Sequence, residues 1–409
     1  MAETSREPID PKRIGGIKRL RHLLPLLAPL HEVGCQRDSA GNRRLHFDEY
    51  VTLVLLALTN PLIDSLRTLQ QASELEKLSG QLGVKRFSLG SFSESVRVFD
   101  PETLKAVIGQ LAGELGSVNA DPRLKTHLKQ ALKIVDGTVL DAIATVSAAM
   151  WLPFQDGTVK HAWKLHVQFD FDSFLPCEVE LTDARNTGKS DEKNVLRRKL
   201  VKDCCYVMDR WYGQFTLFNE INAIASSYVC RMKENSVFEV IDERLLNDQA
   251  LQAGVVRDAV VRMGQSSKPA DRPDHPIRIV VIEAEPHAKR GGRKGKTSGP
   301  GNKGTIVIAT NLLDVPAEII ALIYQYRWAI EVFFRFFKQI LGCRHLLSQR
   351  PEGILIQVYC AIIACLLINL WTGTRPTKLT VTMLAWYFAG VASDDEVMRH
   401  IAGLKKISV

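Results

Sequence analysis

From residue 14 to residue 118 the apolar positions recur three and four residues apart, as in Ile17, Leu20, Leu24, Leu27 and Leu30 and again in Leu104, Val107, Ile108 and Leu111. That spacing keeps one side of a helix apolar, and no stretch alternates as a half-buried strand does. An all-helical N-terminal domain, residues 1–121, is expected. The pattern breaks around Asn119-Ala-Asp-Pro-Arg123, and from Leu132 short apolar runs take over: 132–135, 163–171, 174–181, 204–208 and 228–232. Runs of that length bounded by turn residues read as strands. Helical stretches near 193–201 and 214–225 lie among them, so the chain becomes mixed α/β.

Between 235 and 304 the texture shifts again, and strand-like segments (236–241, 252–263, 277–283) lead into the basic run Lys289-Arg-Gly-Gly-Arg-Lys-Gly-Lys296. This reads as a β-rich insertion. Strand 305–310 resumes the core, and Pro316 opens one long helix to about Leu341, with further helices to the end. The domain plan is therefore 1–121, a core in two parts (122–234 and 305–372) around the insertion 235–304, and a helical tail 373–409. Ile354 to Trp371 is apolar enough to raise a membrane span, yet Gln357 and Asn369 interrupt it and no second span accompanies it. A buried helix is the better reading, and no membrane is expected as a partner.

Composition adds three constraints. With 46% hydrophobic and 24% charged residues in a chain of 409, disorder of the whole is excluded. Lys and Arg outnumber Asp and Glu by 53 to 45, a net charge of +8 that favours polyanionic partners. The cysteines (Cys35, Cys177, Cys204, Cys205, Cys230, Cys343, Cys360, Cys365) sit mostly in apolar runs without a Cys-x-x-Cys pair, as buried thiols of a reducing compartment would. The first residues lack the apolar core of a secretory signal, so a cytoplasmic protein is expected.

Cations gather at Lys12, Arg13, Lys18, Arg19 and Arg21, and Ser88, Ser91, Ser93 and Ser95 stand beside Lys85, Arg86 and Arg97. Short hydroxyls with cations suit phosphate at a helix start; ordinary caps and a solvated face explain them equally. Two aspartates end buried strands: Asp136 after 132–135 and Asp209 after 204–208. Sites in α/β sheets form at the carboxyl ends of strands, though either residue taken singly fits a turn or cap.

The long helix is more informative. Tyr324, Arg327, Glu331 and Lys338 stand at offsets of 0, 3, 7 and 14 residues, which on a helix of about 100° per residue fall at roughly 0, −60, −20 and −40°. All four share one stripe, opposite a Phe-rich face. A solvated ladder of (i, i+4) ion pairs is the bland alternative, but the flanking residues Trp328, Ile330 and Phe334 are apolar.

Tyr, two residues, Arg, three residues, Glu, six residues, Lys resembles the signature of the insertion-sequence transposases of the IS-four family. Ile306-Val-Ile-Ala-Thr-Asn-Leu312, Tyr326-Arg-Trp-Ala-Ile-Glu331, Asp136-Gly-Thr138 and Tyr228-Val-Cys-Arg-Met-Lys233 are similar to that family's text, so the likeness spans 130–372. One departure is Trp211, two residues after Asp209, where the family often has Gly. The resemblance implies an RNase H-like core, a mixed sheet flanked by helices, carrying the DDE triad Asp136, Asp209 and Glu331. Three carboxylates of this kind are hard oxygen ligands for two Mg2+ (or Mn2+) ions. Two such ions about 4 Å apart can activate a water or 3'-hydroxyl for in-line phosphoryl displacement. It also implies double-stranded DNA as partner, both the terminal inverted repeats and the target. A homodimer on paired ends and a bacterial, nucleoid-associated location follow from it too. Tyr324, Arg327 and Lys338 would then hold phosphates, and Arg231 and Lys233, at alternate positions of one strand, resemble a further family motif.

A similar row, Lys160, His161, Lys164 and His166, reads more simply as packing. The insertion's Arg290, Arg293, Lys294 and Lys296 suit a basic finger on DNA; its Gly-Lys-Thr is no P-loop, because Arg290 stands where glycine is needed. Two rivals remain: a domesticated DNA-binding protein without chemistry, which has no use for the triad, and a metal-dependent nuclease without strand transfer.

Overall fold

The computed structural model describes residues 20–21, 23–33, 36–41, 43–60, 62–115, 121–141, 150–153, 159–172, 175–233, 235–284, 304–341, 347–348, 350–372 and 378–403. The chain divides into two compact units, one gathering the residues up to Gly116 with those from Phe333 onward, the other holding 117–140 and 148–332.

The first unit is built of helices, among them Phe47–Thr59, Leu66–Ser73, Glu76–Leu82, Leu89–Ser95, Leu104–Leu115 and Pro351–Thr372. Apolar on every side, helix Pro351–Thr372 must be covered on every side, and it packs on Leu104–Leu115 and Phe47–Thr59. Its Tyr359 hydroxyl donates to Glu102 Oε1 at 3.0 Å, and Gln357 Oε1 accepts the Leu347 N–H at 3.0 Å, so these polar groups are satisfied inside the unit. It is long and apolar enough to cross a membrane, but 83% of its most apolar window is buried, as the reading of a buried helix requires. A Cβ at Gly353 would meet Ser348 Oγ at 2.2 Å, so the first turn admits only glycine. The sequence plan put this helix with the core; it groups instead with the N-terminal helices.

Ser88 caps helix Leu89–Ser95 by accepting the Ser91 N–H at 3.0 Å. The Ser95 hydroxyl is buried and donates to the Ser91 carbonyl, while Arg86 and Arg97 pair with Glu74 and Glu94. Ser88 and Ser95 thus have local partners, and Arg86 and Arg97 form exposed pairs with neighbouring acids.

The second unit is organised by ten strands: β1 (Ala131–Asp141), β2 (Met150–Pro153), β3 (Val159–Asp170), β4 (Leu175–Asp183), β5 (Cys204–Met208), β6 (Ser227–Arg231), β7 (Phe238–Glu243), β8 (Val255–Met263), β9 (Ile277–Ala284) and β10 (Gly304–Thr310). They form one sheet in the order β2-β3-β1-β5-β6-β10-β9-β8-β7, with β4 also paired to β3. β1, β5 and β6 are parallel neighbours. β5, Cys-Cys-Tyr-Val-Met, is buried at all its positions, the unbroken apolar run of a strand covered on both faces. Parallel β5 and β6 need a crossover, and helix Phe215–Ala223 provides it, laying Phe218 on Tyr228 with ring centroids 4.1 Å apart.

Two features differ from the sequence reading. The expected insertion is β-rich, but its strands β7, β8 and β9 join the core sheet through antiparallel pairing of β9 with β10. Arg278 on β9, almost wholly buried, fixes this extension: Nε and Nη2 donate to the two carboxylate oxygens of Asp258 at 2.7 Å, and Nη1 donates to the carbonyls of Leu312, Leu313 and Val315. The single helix expected from Pro316 is two, Ala317–Gln325 and Trp328–Leu341. Between them Arg327 N bonds Tyr324 O at 3.0 Å and Ala329 N bonds Tyr326 O at 2.8 Å, three-residue steps that tighten the turn without leaving the helical region of the backbone.

Candidate active site

β1 and β5 run parallel with Ile134 opposite Val207. Two residues further, the same register brings Asp136 level with Asp209, on strands about 4.8 Å apart. β5 ends at Met208, so Asp209 leaves the sheet there; its Oδ1 accepts the Trp211 N–H at 2.8 Å and opens the short 3₁₀ turn Arg210–Tyr212. Trp211 needs no unusual backbone conformation in this turn and its side chain is exposed, so replacing the family's glycine leaves the carboxylate in place. Asp203, the nearest other aspartate, is solvent-exposed and pairs with Lys202.

Asp136 Oδ1 accepts the Gly137 N–H at 2.8 Å. Burial pushes its carboxyl up to about 7; the Gly137 N–H and the Arg327 charge oppose that rise, while Asp209 and Glu192 add to it.

The helix pair supplies the third carboxylate. Arg327, in the tightened turn, donates through Nη2 to Glu331 Oε1 at 2.6 Å, and its Nη1 lies 3.9 Å from Asp136 Oδ2. Its guanidinium carbon is 5.9 Å from the centroid of the buried Tyr324 ring. Burial raises the Tyr324 hydroxyl, with the charges of Arg327 and Arg231 pulling it back. Asp136, Asp209, Tyr324, Arg327, Glu331 and Arg231 therefore converge where β5 and β6 end; β1 runs on to Asp141, so Asp136 lies within its strand and not at the strand end expected from the sequence. A solvated ladder does not describe this: the side chain of Arg327 is 17% exposed and reaches across to the sheet.

Other expected residues lie elsewhere. β6 ends at Arg231, so Lys233 is not at an alternate position of that strand but exposed beyond it. The tightened turn separates Tyr324 from the helix that follows, whereas Lys338 stays two turns beyond Glu331 on the same face of helix Trp328–Leu341, half-buried. Arg290, Arg293, Lys294 and Lys296 lie outside the described residues, as do Lys12, Arg13, Lys18 and Arg19. His166 is packed as expected: Nε2 meets Thr182 Oγ1 at 2.8 Å, and burial, with the Lys164 and Arg198 charges, lowers the ring to about 4. The side chains of Lys160 and His161 also lie outside the described residues. Among the described cysteines only Cys177 is exposed, a departure from the expected buried set.

Three carboxylates, one within β1, one just past the end of its parallel neighbour β5 and one on a helix, make a hard donor set, and the two aspartates lie close enough for each to add to the other's proton affinity. A divalent cation such as Mg2+ or Mn2+ satisfies that chemistry. Among the described residues no three His, Cys, Asp or Glu side chains already close into a metal cage; Arg327 holds Glu331 in this arrangement.

The family model described as Transposase DDE domain matches residues 128–367. The chain belongs to the transposase DDE domain family. The transposase is 26% identical over 311 residues to the probable transposase for insertion sequence element IS5377 of Geobacillus stearothermophilus, covering 74% of this chain and 72% of that one. It is 25% identical over 277 residues to the putative transposase y4zB of Sinorhizobium fredii, covering 68% of each. A piggyBac transposase synaptic complex with hairpin DNA aligns with 100% of this chain and 84% of its own at 11% identity and a TM-score of 0.41, too low to carry an argument. The ten-stranded mixed sheet with flanking helices fits an RNase H-like α/β core.

Sequence reasoning missed two residues of the transposase site. Glu192 and Lys164 form a buried ion pair beside Gly137. Glu192 stands just before the helical stretch read from 193 and carries no motif, and Lys164 belongs to a row of strand cations.

Proposed function

We propose that this DNA transposase cleaves the ends of its own insertion sequence and joins the freed 3'-hydroxyl to target DNA. The observation that carries the reading is Arg327 reaching both Glu331 and Asp136, with Asp209 level with Asp136 on the neighbouring strand, in a chain of the transposase DDE domain family. Asp136, Asp209 and Glu331 would hold two Mg2+ or Mn2+ ions. When bound, such ions lower the pKa of an attacking water and stabilise charge on the reacting phosphate. The chain's own contribution is positional. The parallel pairing of β1 with β5 fixes the two aspartates, and Arg327 holds Glu331 beside Asp136. Arg327, with Tyr324, Arg231 and Lys338, offers donors to the phosphates beside the scissile bond, so that the attacking group stays in line.

The IS-four likeness belongs to this reading, as do the remaining assignments. The helical N-terminal residues read the terminal inverted repeats, two copies assemble on paired ends, and the protein works at the bacterial nucleoid. Lys233 and the basic run of Arg290, Arg293, Lys294 and Lys296 add salt-dependent grip on DNA. The test is to incubate the full chain with end-containing DNA, a target plasmid and Mg2+. Joined product is expected; cleavage without joining would leave the nuclease, and binding alone would leave a domesticated DNA-binding protein.

A further inference from the structure

We infer that Glu192 is a positioning residue for the two aspartates, with Lys164 as its charge counterweight. The inference rests on the proposed metal-dependent reading of the site.

Glu192 opens helix Glu192–Arg198 and is buried. Three groups hold it. Lys164 Nζ pairs with its Oε1, the Tyr212 hydroxyl hydrogen-bonds its carboxylate, and its own N–H donates to Asn186 Oδ1 at 3.2 Å. Asn186 Oδ1 also accepts from Lys164 Nζ at 3.1 Å, so the cation and the start of the helix share one anchor.

What this frame touches matters more than its existence. Tyr212 is fully buried and closes the turn that begins at Asp209. On the other side, a Cβ placed on Gly137 would meet Lys164 Cε at 3.1 Å and Glu192 Oε1 at 3.3 Å. The backbone next to Asp136 therefore lies directly against the Lys164–Glu192 pair. One carboxylate thus bears on both aspartate segments, through Tyr212 to the Asp209 turn and through Gly137 to the Asp136 strand.

A buried ion pair is a costly way to fill space, since apolar residues of the same volume often stabilise as well or better. Its placement explains its retention. Around the site stand four carboxylates (Asp136, Asp209, Glu331 and Glu192) and three cations (Arg327, Arg231 and Lys164). When all are ionised, the excess is one negative charge. Removing the Glu192 charge cancels that excess and so weakens the pull on a cation, whereas removing the Lys164 charge raises it to two. A group that serves packing alone gives no reason for the two changes to act in opposite directions.

The test is Mn2+ binding to the full chain without DNA, followed by calorimetry, with melting temperatures recorded for each variant. Outer partners of metal ligands typically change affinity by about tenfold or more. Glu192→Gln, which keeps the volume and the Tyr212 contact, is expected to weaken Mn2+ binding by about tenfold, whereas Lys164→Met tightens it by several-fold and the double variant returns near wild type. Glu192→Asp keeps the charge but shortens the reach. It should restore most of the Mn2+ affinity while end cleavage at saturating Mn2+ stays slow, which separates spacing from charge. Shifts of the two single variants in the same direction, or unchanged affinity in both, overturn the inference. Asp136→Ala serves as the control. If it loses Mn2+ binding while Glu192→Gln keeps it, the inference alone fails; if it binds Mn2+ like wild type, the metal reading fails and the inference with it.

Discussion

Arg278 and Arg327 each reach a carboxylate inside the sheet unit, but one is spent on structure and the other is not. Every nitrogen of Arg278 has an acceptor, two on Asp258 and the rest on carbonyls of the loop 312–315. Arg327 makes one short bond to Glu331 and only a long approach to Asp136, beside carboxylates that crowd one another. Saturated geometry locks two strands to a loop. Incomplete geometry beside the ends of β5 and β6 leaves donors and acceptors able to exchange partners when a phosphate arrives.

The largest effect should come from the carboxylates around Arg327. Asp136→Ala, Asp209→Ala and Glu331→Ala are each expected to slow end cleavage by at least about 10³-fold, roughly 4 kcal/mol of barrier, with end-DNA affinity and melting temperature nearly unchanged. Cleavage near the wild-type rate in any one removes that residue from the triad.

Breaking the saturated pair should instead show in stability. Arg278→Met leaves Asp258 buried and uncompensated, a loss of about 3–5 kcal/mol in thermal unfolding. Adding Asp258→Asn should recover much of it, and a double variant no more stable than the single one would mean that the carbonyl contacts, not the charge, dominate.

Arg327→Ala sharpens the contrast. Its cost in stability should be about 1–3 kcal/mol, since a mostly buried hydrogen bond to a carboxylate is lost, while end-DNA affinity falls and the salt dependence becomes shallower by roughly one unit of slope. Lys338→Ala should lose the same increment of slope. Affinity, slope and cleavage all unchanged would return Arg327 to a plain (i, i+4) pair.

The smallest effect concerns Asp121, which accepts from the Arg123 guanidinium at 2.7 and 3.1 Å and from the Tyr326 hydroxyl at 2.6 Å. Arg123 foremost, then Tyr326, holds its carboxyl down at about 2 despite partial burial. A depressed folded-state value confers stability that is present above about pH 4 and disappears as pH falls through about 2. Because Arg123 is largely in solvent, that contribution should be about 1 kcal/mol at most. Asp121→Asn should therefore lose stability at neutral pH and show a flatter decline below pH 4; equal slopes for both proteins would dismiss the Asp121 contribution.

The parts of the molecule legible in sequence were those fixed by near neighbours. β5 and β6 announce themselves as apolar runs ended by turn residues, and the short spacing from Tyr324 to Glu331 survives because Arg327 clasps Glu331 across one turn. What sequence hid depends on distant partners. The tightened turn at Tyr326-Arg327 contains neither Gly nor Pro to signal it. β9 could pair anywhere until β10 is beside it, so an addition to the core sheet read as a separate insertion. Glu192 and Lys164 lie 28 positions apart in the numbering, and nothing local to either marks them as partners.

The last strand of the sheet, β7, has consequences for how the protein behaves in quantity. An open strand edge invites another chain to add to it, and β7 is apolar enough to do so, with Val240 and Ile241 exposed. Its register slips between Val240 and Asp242, and Glu239, Asp242 and Glu243 line the six-residue strand. A second copy approaching in the same way would meet a kinked edge whose Glu239 and Glu243 are already paired with Arg262 and Arg257, leaving Asp242 as a further charge on the strand. The strand that extends the sheet thus also ends it, with a slipped register and charged side chains of the kind that disfavour addition of another strand.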